Sequence, residues 1–120
     1  MDGCEESARL FKTLMHPARL EILETLRDGE HCVCHMEAAL GHRQAYISQQ
    51  LSVLREAGLV EDRRDGWNVY YRVVQPQVFA LLDVAITMVG GQPNKRKVTH
   101  GVELDNCPCP RCAATETVAA

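Results

Sequence analysis

The sequence predicts a mainly α-helical fold that carries one β-hairpin, and three observations support this prediction. Apolar residues recur at intervals of three and four through most of residues 4–57, which is the period of an amphipathic helix. Asp65-Gly66 then separates two segments rich in Val and Tyr, a pattern typical of a hairpin. The chain has 120 residues, of which 46% are hydrophobic and 24% charged, and these values suit one globular domain.

The first part of the chain contains two helical segments that a proline separates. An apolar stripe predicts a helix that begins near Cys4 and extends to Leu14. Pro17 suits the first position of a second helix, and Gly29 supplies its stop. The second helix is therefore predicted over residues 17–27.

Two further short helices are predicted close together, over residues 32–40 and residues 43–57. A tight turn at Gly41 joins them, which is the pattern of a helix-turn-helix. The second helix of this motif enters the major groove of DNA and presents polar side chains to the base edges. The predicted DNA contacts lie in its N-terminal half and are Arg43, Gln44, Ala45, Tyr46, Ser48 and Gln49.

The predicted hairpin joins residues 59–64 to residues 68–74 and completes a winged helix-turn-helix. Its charged tip is placed to reach an adjacent groove or the phosphate backbone. The candidate DNA contacts at this tip are Arg63, Arg64 and Trp67.

A final helix begins at Pro76 and is apolar nearly all round. One stripe contains Phe79, Leu82, Ile86 and Val89, and the other contains Val78, Leu81, Ala85 and Met88. A small domain offers only one core side, so the second stripe is expected to pack against the same helix of a partner chain as a homodimer. Residues 1–90 are thus assigned to a DNA-binding and dimerisation domain, and residues 91–120 to a flexible tail that contains cysteines.

The charge of the chain limits how it can bind DNA. The formal net charge of -3 argues mildly against nucleic-acid binding, because a basic excess is the usual footprint of such domains. Any DNA-binding face must then be local, and its affinity should be sensitive to salt. No apolar stretch approaches the roughly 18 residues of a membrane span, and the acidic start is unlike a signal peptide. A cytoplasmic protein with no membrane partner is expected.

Six cysteines in a reducing compartment more often bind metal or carry redox chemistry than form structural disulfides. Cys32 and Cys34 stand at the start of the first helix of the helix-turn-helix, where a helix N-terminus lowers the pKa of a thiol. Residues i and i+2 of a helix point roughly 200° apart, so one ion can bind both sulfurs only if the first turn unwinds or Cys32 lies outside it. Binding would then distort the DNA-binding unit. Small residues that merely pack this turn are the alternative interpretation.

Four segments carry a more specific pattern: LMHPARLEIL from residue 14, HCVCHM from residue 31, ISQQLSVLREAGLV from residue 47 and RRDGWNVYYR from residue 63. Together they resemble the ArsR/SmtB family of metal-responsive repressors over roughly residues 5–90. The resemblance implies a dimeric winged helix that binds double-stranded operator DNA, represses its own operon and is released by an inducer.

The resemblance also implies an inducer site. Cys32 and Cys34 match the family's Cys-Val-Cys motif, and the implied inducer is a thiophilic ion such as As(III), Sb(III), Cd(II) or Pb(II), which is not needed for folding. Arsenite-responsive members often carry a third cysteine where this chain has Glu37. The remaining ligand is expected either from Cys4, as in cadmium- and lead-sensing relatives, or from the three tail cysteines, Cys107, Cys109 and Cys112.

Other functions are weighed against this one. The same repressor with thiols that sense oxidation or persulfide is the nearest alternative. A metal-sequestering protein that acts through its tail is a second, although the recognition helix and hairpin count against it. An enzyme is not expected, because no catalytic Ser/His/Asp arrangement or phosphate-binding Gly loop is present. A zinc site on the last helix is not expected either, since Asp83 is the only family-type ligand there.

Overall fold

The computed structural model describes residues 3–92, which form five α-helices and a three-stranded antiparallel sheet. The helices are α1 (Gly3–Leu14), α2 (Pro17–Thr25), α3 (Val33–Leu40), α4 (Gln44–Glu56) and α5 (Gln77–Met88). The strands are β1 (His31–Cys32), β2 (Val60–Asp65) and β3 (Asn68–Val73). None of these helices is long and apolar enough to cross a membrane. Most of the predicted tail, with its three cysteines, lies outside the described residues.

The core lies mainly between α2, α3 and α4, as their apolar periodicity predicts. Six side chains are fully buried there: Ile22, Leu23, Met36, Ile47, Leu51 and Leu54. Complete burial of one such side chain contributes roughly 1.5–3 kcal/mol. Gly41 ends α3 with a φ of 73°, a left-handed conformation that favours glycine, and the chain turns there into α4. The predicted helix-turn-helix is therefore present.

The sheet contains one strand more than the predicted hairpin. Its strand order is β1-β3-β2, and Cys32 of β1 pairs with Tyr70 of β3. The prediction that a helix begins at Cys32 was therefore wrong, because Cys32 has an extended backbone (φ -84°, ψ 166°) and caps α3 from outside. A strand of two residues is too short for an alternating apolar pattern to reveal it.

The hairpin turn lies one residue later than the Asp65-Gly66 pair predicts. Asp65 pairs with Asn68 at the end of the ladder, so Gly66 and Trp67 are the two turn residues. Gly66 supplies the positive φ, 63°, that tight hairpin turns require. The shift puts Trp67 at the tip of the wing, where its side chain is completely exposed.

A charged cluster ties α5 to the end of α2. Arg27 donates two hydrogen bonds to Asp83, at 3.2 and 2.8 Å, and one to Glu24 at 2.5 Å. Burial lowers the pKa of Arg27, but the hydrogen bonds and negative charges of Glu24 and Asp83 outweigh it and raise the pKa above its ordinary value. The carboxylate of Asp83 is thus committed to an arginine.

Replacing Asp83 by Asn should lower the free energy of unfolding by about 1–3 kcal/mol, because the partly buried Arg27 loses a charged partner. Urea denaturation at one fixed protein concentration measures this change. Glu6→Gln is the matched control, since its pair with Arg9 is mostly exposed and should contribute at most about 0.5 kcal/mol. Equal losses in the two variants would contradict a structural role for the Arg27 cluster.

Candidate functional site

Cys32 and Cys34 bring their sulfur atoms together at the junction between β1 and α3. Their Sγ atoms lie 2.7 Å apart, and no disulfide joins them. Cys32 is buried and Cys34 is half-buried. Because Cys32 precedes the helix, the wide angular separation of residues i and i+2 on a helix does not apply. The sulfurs therefore pair without any unwinding of α3, contrary to the distortion expected for a helical Cys32.

Polar groups flank the two cysteines in the chain, on α3, on β1 and in the turn before β1. The backbone N–H of His35 donates to Cys32 Sγ at 3.4 Å, so this sulfur accepts a capping hydrogen bond. His31 and His35 stack with ring centroids 3.9 Å apart, and His31 Nε2 lies 2.9 Å from Asp28 Oδ1. A helix N-terminus stabilises negative charge, so this position suits a thiolate.

The structure brings together only two of the predicted metal ligands. No group of three or more His, Cys, Asp or Glu side chains in residues 3–92 is arranged to hold an ion. Cys4 is exposed on α1, and Cys107, Cys109 and Cys112 lie outside the described residues. Glu37, which replaces the family's third cysteine, accepts a hydrogen bond from the backbone N–H of Gln44 at 3.2 Å and so joins α3 to α4. The thiol pair fits a soft ion, but it forms half of a site and needs a further donor.

The open face of α4 carries three of the residues predicted to contact DNA. Ala45 and Gln49 are exposed and Ser48 is half-buried, and Ser52 extends the same face by one turn. Sequence reasoning missed Ser52, although its helical spacing from Ser48 and Gln49 is the signal that finds it. Gln50 points inward instead, where Arg19 Nε donates to its side-chain oxygen at 2.8 Å.

Tyr46 lies at the edge of this face, between two histidines. Its hydroxyl is 3.5 Å from His16 Nε2, and its ring centroid is 5.0 Å from that of His42. These contacts leave the tyrosine half-buried. The helix start is more open, because Arg43 and Gln44 are both exposed there.

Several cations near the wing are already paired with carboxylates. Four such pairs join Arg55 to Asp62, Arg72 to Glu61, and Arg63 to both Glu30 and Asp65. Arg43 and Arg64, by contrast, pair with no carboxylate in the described part of the chain, residues 3–92. Arg43 stands at the N-cap position of α4 without a capping hydrogen bond from its side chain, and Arg64 lies on β2, so neither guanidinium is held by a carboxylate there.

An apolar face remains uncovered where α1 meets α5. Five large side chains of the two helices and of the residues that directly follow them are strongly exposed: Phe11, Met15, Val84, Met88 and Val89. Between the two helices runs an apolar groove lined by, among others, Leu20, Leu81 and Ile86. A contiguous exposed apolar surface of this kind marks an interaction site.

Comparisons with known proteins agree with this architecture. The family described as "Bacterial regulatory protein, arsR family" matches residues 16–62. A biofilm growth-associated repressor of Agrobacterium fabrum is 47% identical over 78 residues, which cover 65% of this chain and 67% of that protein. Residues 16–62, which match the family, include the thiol pair and helix α4.

Solved structures share the fold. The crystal structure of the transcriptional repressor BigR from Xylella fastidiosa matches with a TM-score of 0.68 and 40% identity, over 74% of this chain and 91% of that chain. The homodimeric winged helix-turn-helix DNA-binding domain of Mb0332 from Mycobacterium bovis, a possible ArsR-family regulator, matches with a TM-score of 0.64 and 35% identity, over 72% and 82% of the two chains. These relatives are described as transcription regulators and not as enzymes. The predicted fold class is confirmed, and the chain belongs to the ArsR family of winged helix-turn-helix transcription regulators.

Proposed function

We propose that this chain is a cytoplasmic repressor that binds operator DNA as a homodimer and is released when a thiophilic ion binds Cys32 and Cys34. The observation that carries the proposal is the 2.7 Å contact between these two sulfurs at the start of the helix-turn-helix. Soft thiolates favour As(III), Sb(III), Cd(II) or Pb(II) over hard cations. Such an ion supplies bonds that fix the two sulfurs relative to a further donor.

The thiol pair is suited to control DNA binding because Cys32 belongs to two structural units. Its backbone pairs with Tyr70 of the wing strand β3, and its sulfur caps α3. Helix α3 packs against α4 and is also tied to it through Glu37. A change in the position of Cys32 therefore acts on the wing and on the recognition helix together.

The further donor is proposed to be Cys4 or the tail group Cys107, Cys109 and Cys112. Serine substitution separates the two sources, because Cys4→Ser and the triple tail variant remove different thiols. Loss of ion binding in one variant and not in the other names the source. Since Cys4 is exposed on α1, its substitution leaves the core intact.

The operator is proposed to bind across α4 and the wing. The residues assigned to this interface are Arg43, Gln44, Ala45, Tyr46, Ser48, Gln49, Arg63, Arg64 and Trp67, as the sequence predicts, with Ser52 added. Among the residues assigned to this interface, Arg43 and Arg64 have no carboxylate partner within residues 3–92, and they are the strongest candidates for phosphate contacts. The exposed polar face of α4 is the candidate for reading bases.

Replacing Gln49 by Ala should weaken operator binding by about 1–3 kcal/mol per half-site and leave binding to unrelated duplex unchanged, because base contacts carry sequence information. Fluorescence anisotropy on the DNA upstream of the protein's own gene and on a scrambled duplex measures both affinities. Gln77→Ala removes the same exposed side chain from α5 and is the control. An equal loss of affinity for both duplexes would argue against base reading by Gln49.

The homodimer is proposed to form through the apolar face of α1 and α5. A second copy of this chain is the occupant that fits, because the neighbour Mb0332 is a homodimer and two recognition helices are needed to read two half-sites. The exposed Val84 and Met88 then become buried against the partner.

A second candidate keeps the DNA binding and replaces the ion by oxidation or persulfide chemistry on the same thiols. One observation favours it: the two sulfurs already lie in contact. Response to an oxidant or a polysulfide without any metal present distinguishes this candidate from ion sensing.

A further inference from the structure

Three side chains form one row across the sheet, from the thiol pair to the wing. Cys32 is the cross-strand partner of Tyr70, and Tyr70 is in turn the partner of Arg63. Directly paired residues of antiparallel strands project from the same face of a sheet. The guanidinium of Arg63 lies 4.8 Å from the centroid of the buried Tyr70 ring. The row therefore connects the inducer site to a wing arginine.

Glu30, two residues before Cys32, holds the outer end of this row. Arg63 donates from Nε to one oxygen of Glu30 at 3.2 Å and from a terminal nitrogen to the other oxygen at 2.5 Å. The hydrogen bond from Arg63 to Glu30 raises the pKa of Arg63, although burial opposes the effect. This two-point contact with a carboxylate is the one that arginine also makes with a phosphate.

We infer that Glu30 competes with DNA for Arg63, so that Arg63 binds a phosphate only when it leaves the carboxylate. The inference rests on the proposed DNA-binding function. It assigns to Glu30 the role of a positioning residue that lowers operator affinity in the free protein. Because Glu30 leads directly into β1, the competitor and the thiols lie on one short segment, and inducer chemistry can bias this exchange.

The experiment is a double-mutant cycle with Glu30→Gln, Arg63→Gln and both changes together. Operator affinity is measured by anisotropy at several salt concentrations on reduced, metal-free protein. Glu30→Gln should tighten binding by about 2- to 5-fold per wing, because the removed contact is a partly exposed ion pair. The dependence of log affinity on log salt should steepen by about 2 per dimer, one new phosphate contact for each wing. In the Arg63→Gln background, Glu30→Gln should change neither quantity.

Glu56→Gln controls for the general loss of a negative charge, because Glu56 is exposed on α4 and pairs with no cation in the described part of the chain. Circular dichroism checks that every variant is folded. Tightening by Glu30→Gln that persists without Arg63, or that Glu56→Gln reproduces, would overturn the competition. So would an unchanged affinity in Glu30→Gln. Wild-type protein that does not bind the operator would overturn the proposed function as well. The two failures are distinguishable, because the competition alone fails when the wild type binds and only the variants behave differently from the prediction.

Discussion

Serine in place of either Cys32 or Cys34 should abolish induction and leave operator binding by the free protein close to that of the wild type. Serine at position 32 preserves the cap, because its hydroxyl accepts the His35 N–H at least as well as a thiol does. Both serine side chains also fit, since serine is no larger than cysteine. The loss is therefore specific to sulfur chemistry. In the wild type, the ion should weaken operator binding by about 5- to 150-fold, the range of ordinary allosteric coupling. In the serine variants, the ion should not weaken it.

The measurement is an anisotropy titration of operator complexes with cadmium and with arsenite under nitrogen. Cys4→Ser is titrated beside these variants, because it removes one exposed thiol from outside the pair and tests a candidate for the further donor. Cys4→Ser keeps induction if the tail supplies the further donor and loses ion binding if Cys4 does. A Cys32→Ser, Cys34→Ser double variant that still responds fully would contradict the assignment of the inducer site to this pair.

Aspartate in place of Val84 and Met88 should separate the dimer and reduce operator affinity by at least about 100-fold, because a monomer loses the second half-site. Both side chains are exposed in the single chain, at 57% and 81%, so the charges leave the monomer fold intact. In the dimer the same charges are buried near their symmetry mates, which costs several kcal/mol.

Analytical ultracentrifugation gives the dimer dissociation constant, and anisotropy gives the operator affinity. Thr87→Asp adds the same charge on the same turn of α5 but at a polar position, so its dimer should remain. A double aspartate variant that is still dimeric would show that the apolar face of α1 and α5 is not the interface.

The helices and hairpin could be predicted from the sequence because each leaves a local signal. Apolar spacing, Pro17, Gly41 and the Asp-Gly pair identify the elements within a few residues. β1 left no such signal, since two residues cannot show a period, and its pairing with Tyr70 depends on a contact distant in sequence. The helical assignment of Cys32 followed from that omission. The contact between the two sulfurs depends on this strand. The sequence therefore offered two ways for one ion to bind both sulfurs, an unwound first turn or a Cys32 outside the helix, but could not decide between them.

The candidate DNA contacts show the same division between local and distant information. Exposure of Ala45 and Gln49 follows from the helical period of α4, which the sequence displays directly. The ion pair between Arg63 and Glu30 cannot be predicted from a local period, because the two residues are 33 positions apart and meet only when β1 joins the sheet. For the same reason the open cations, Arg43 and Arg64, become distinguishable from the paired ones only in the folded chain.

The most direct test of a thiol-controlled repressor uses reduced, metal-free protein on the DNA upstream of its own gene, under nitrogen. Arsenite, antimonite, cadmium, lead and zinc are added in turn, and fluorescence anisotropy follows the complex. We predict that the free protein binds this DNA and that one ion releases it at about one equivalent per site, because thiolates bind a soft ion tightly. A complex that none of these ions and no thiol oxidant disturbs would contradict control by Cys32 and Cys34.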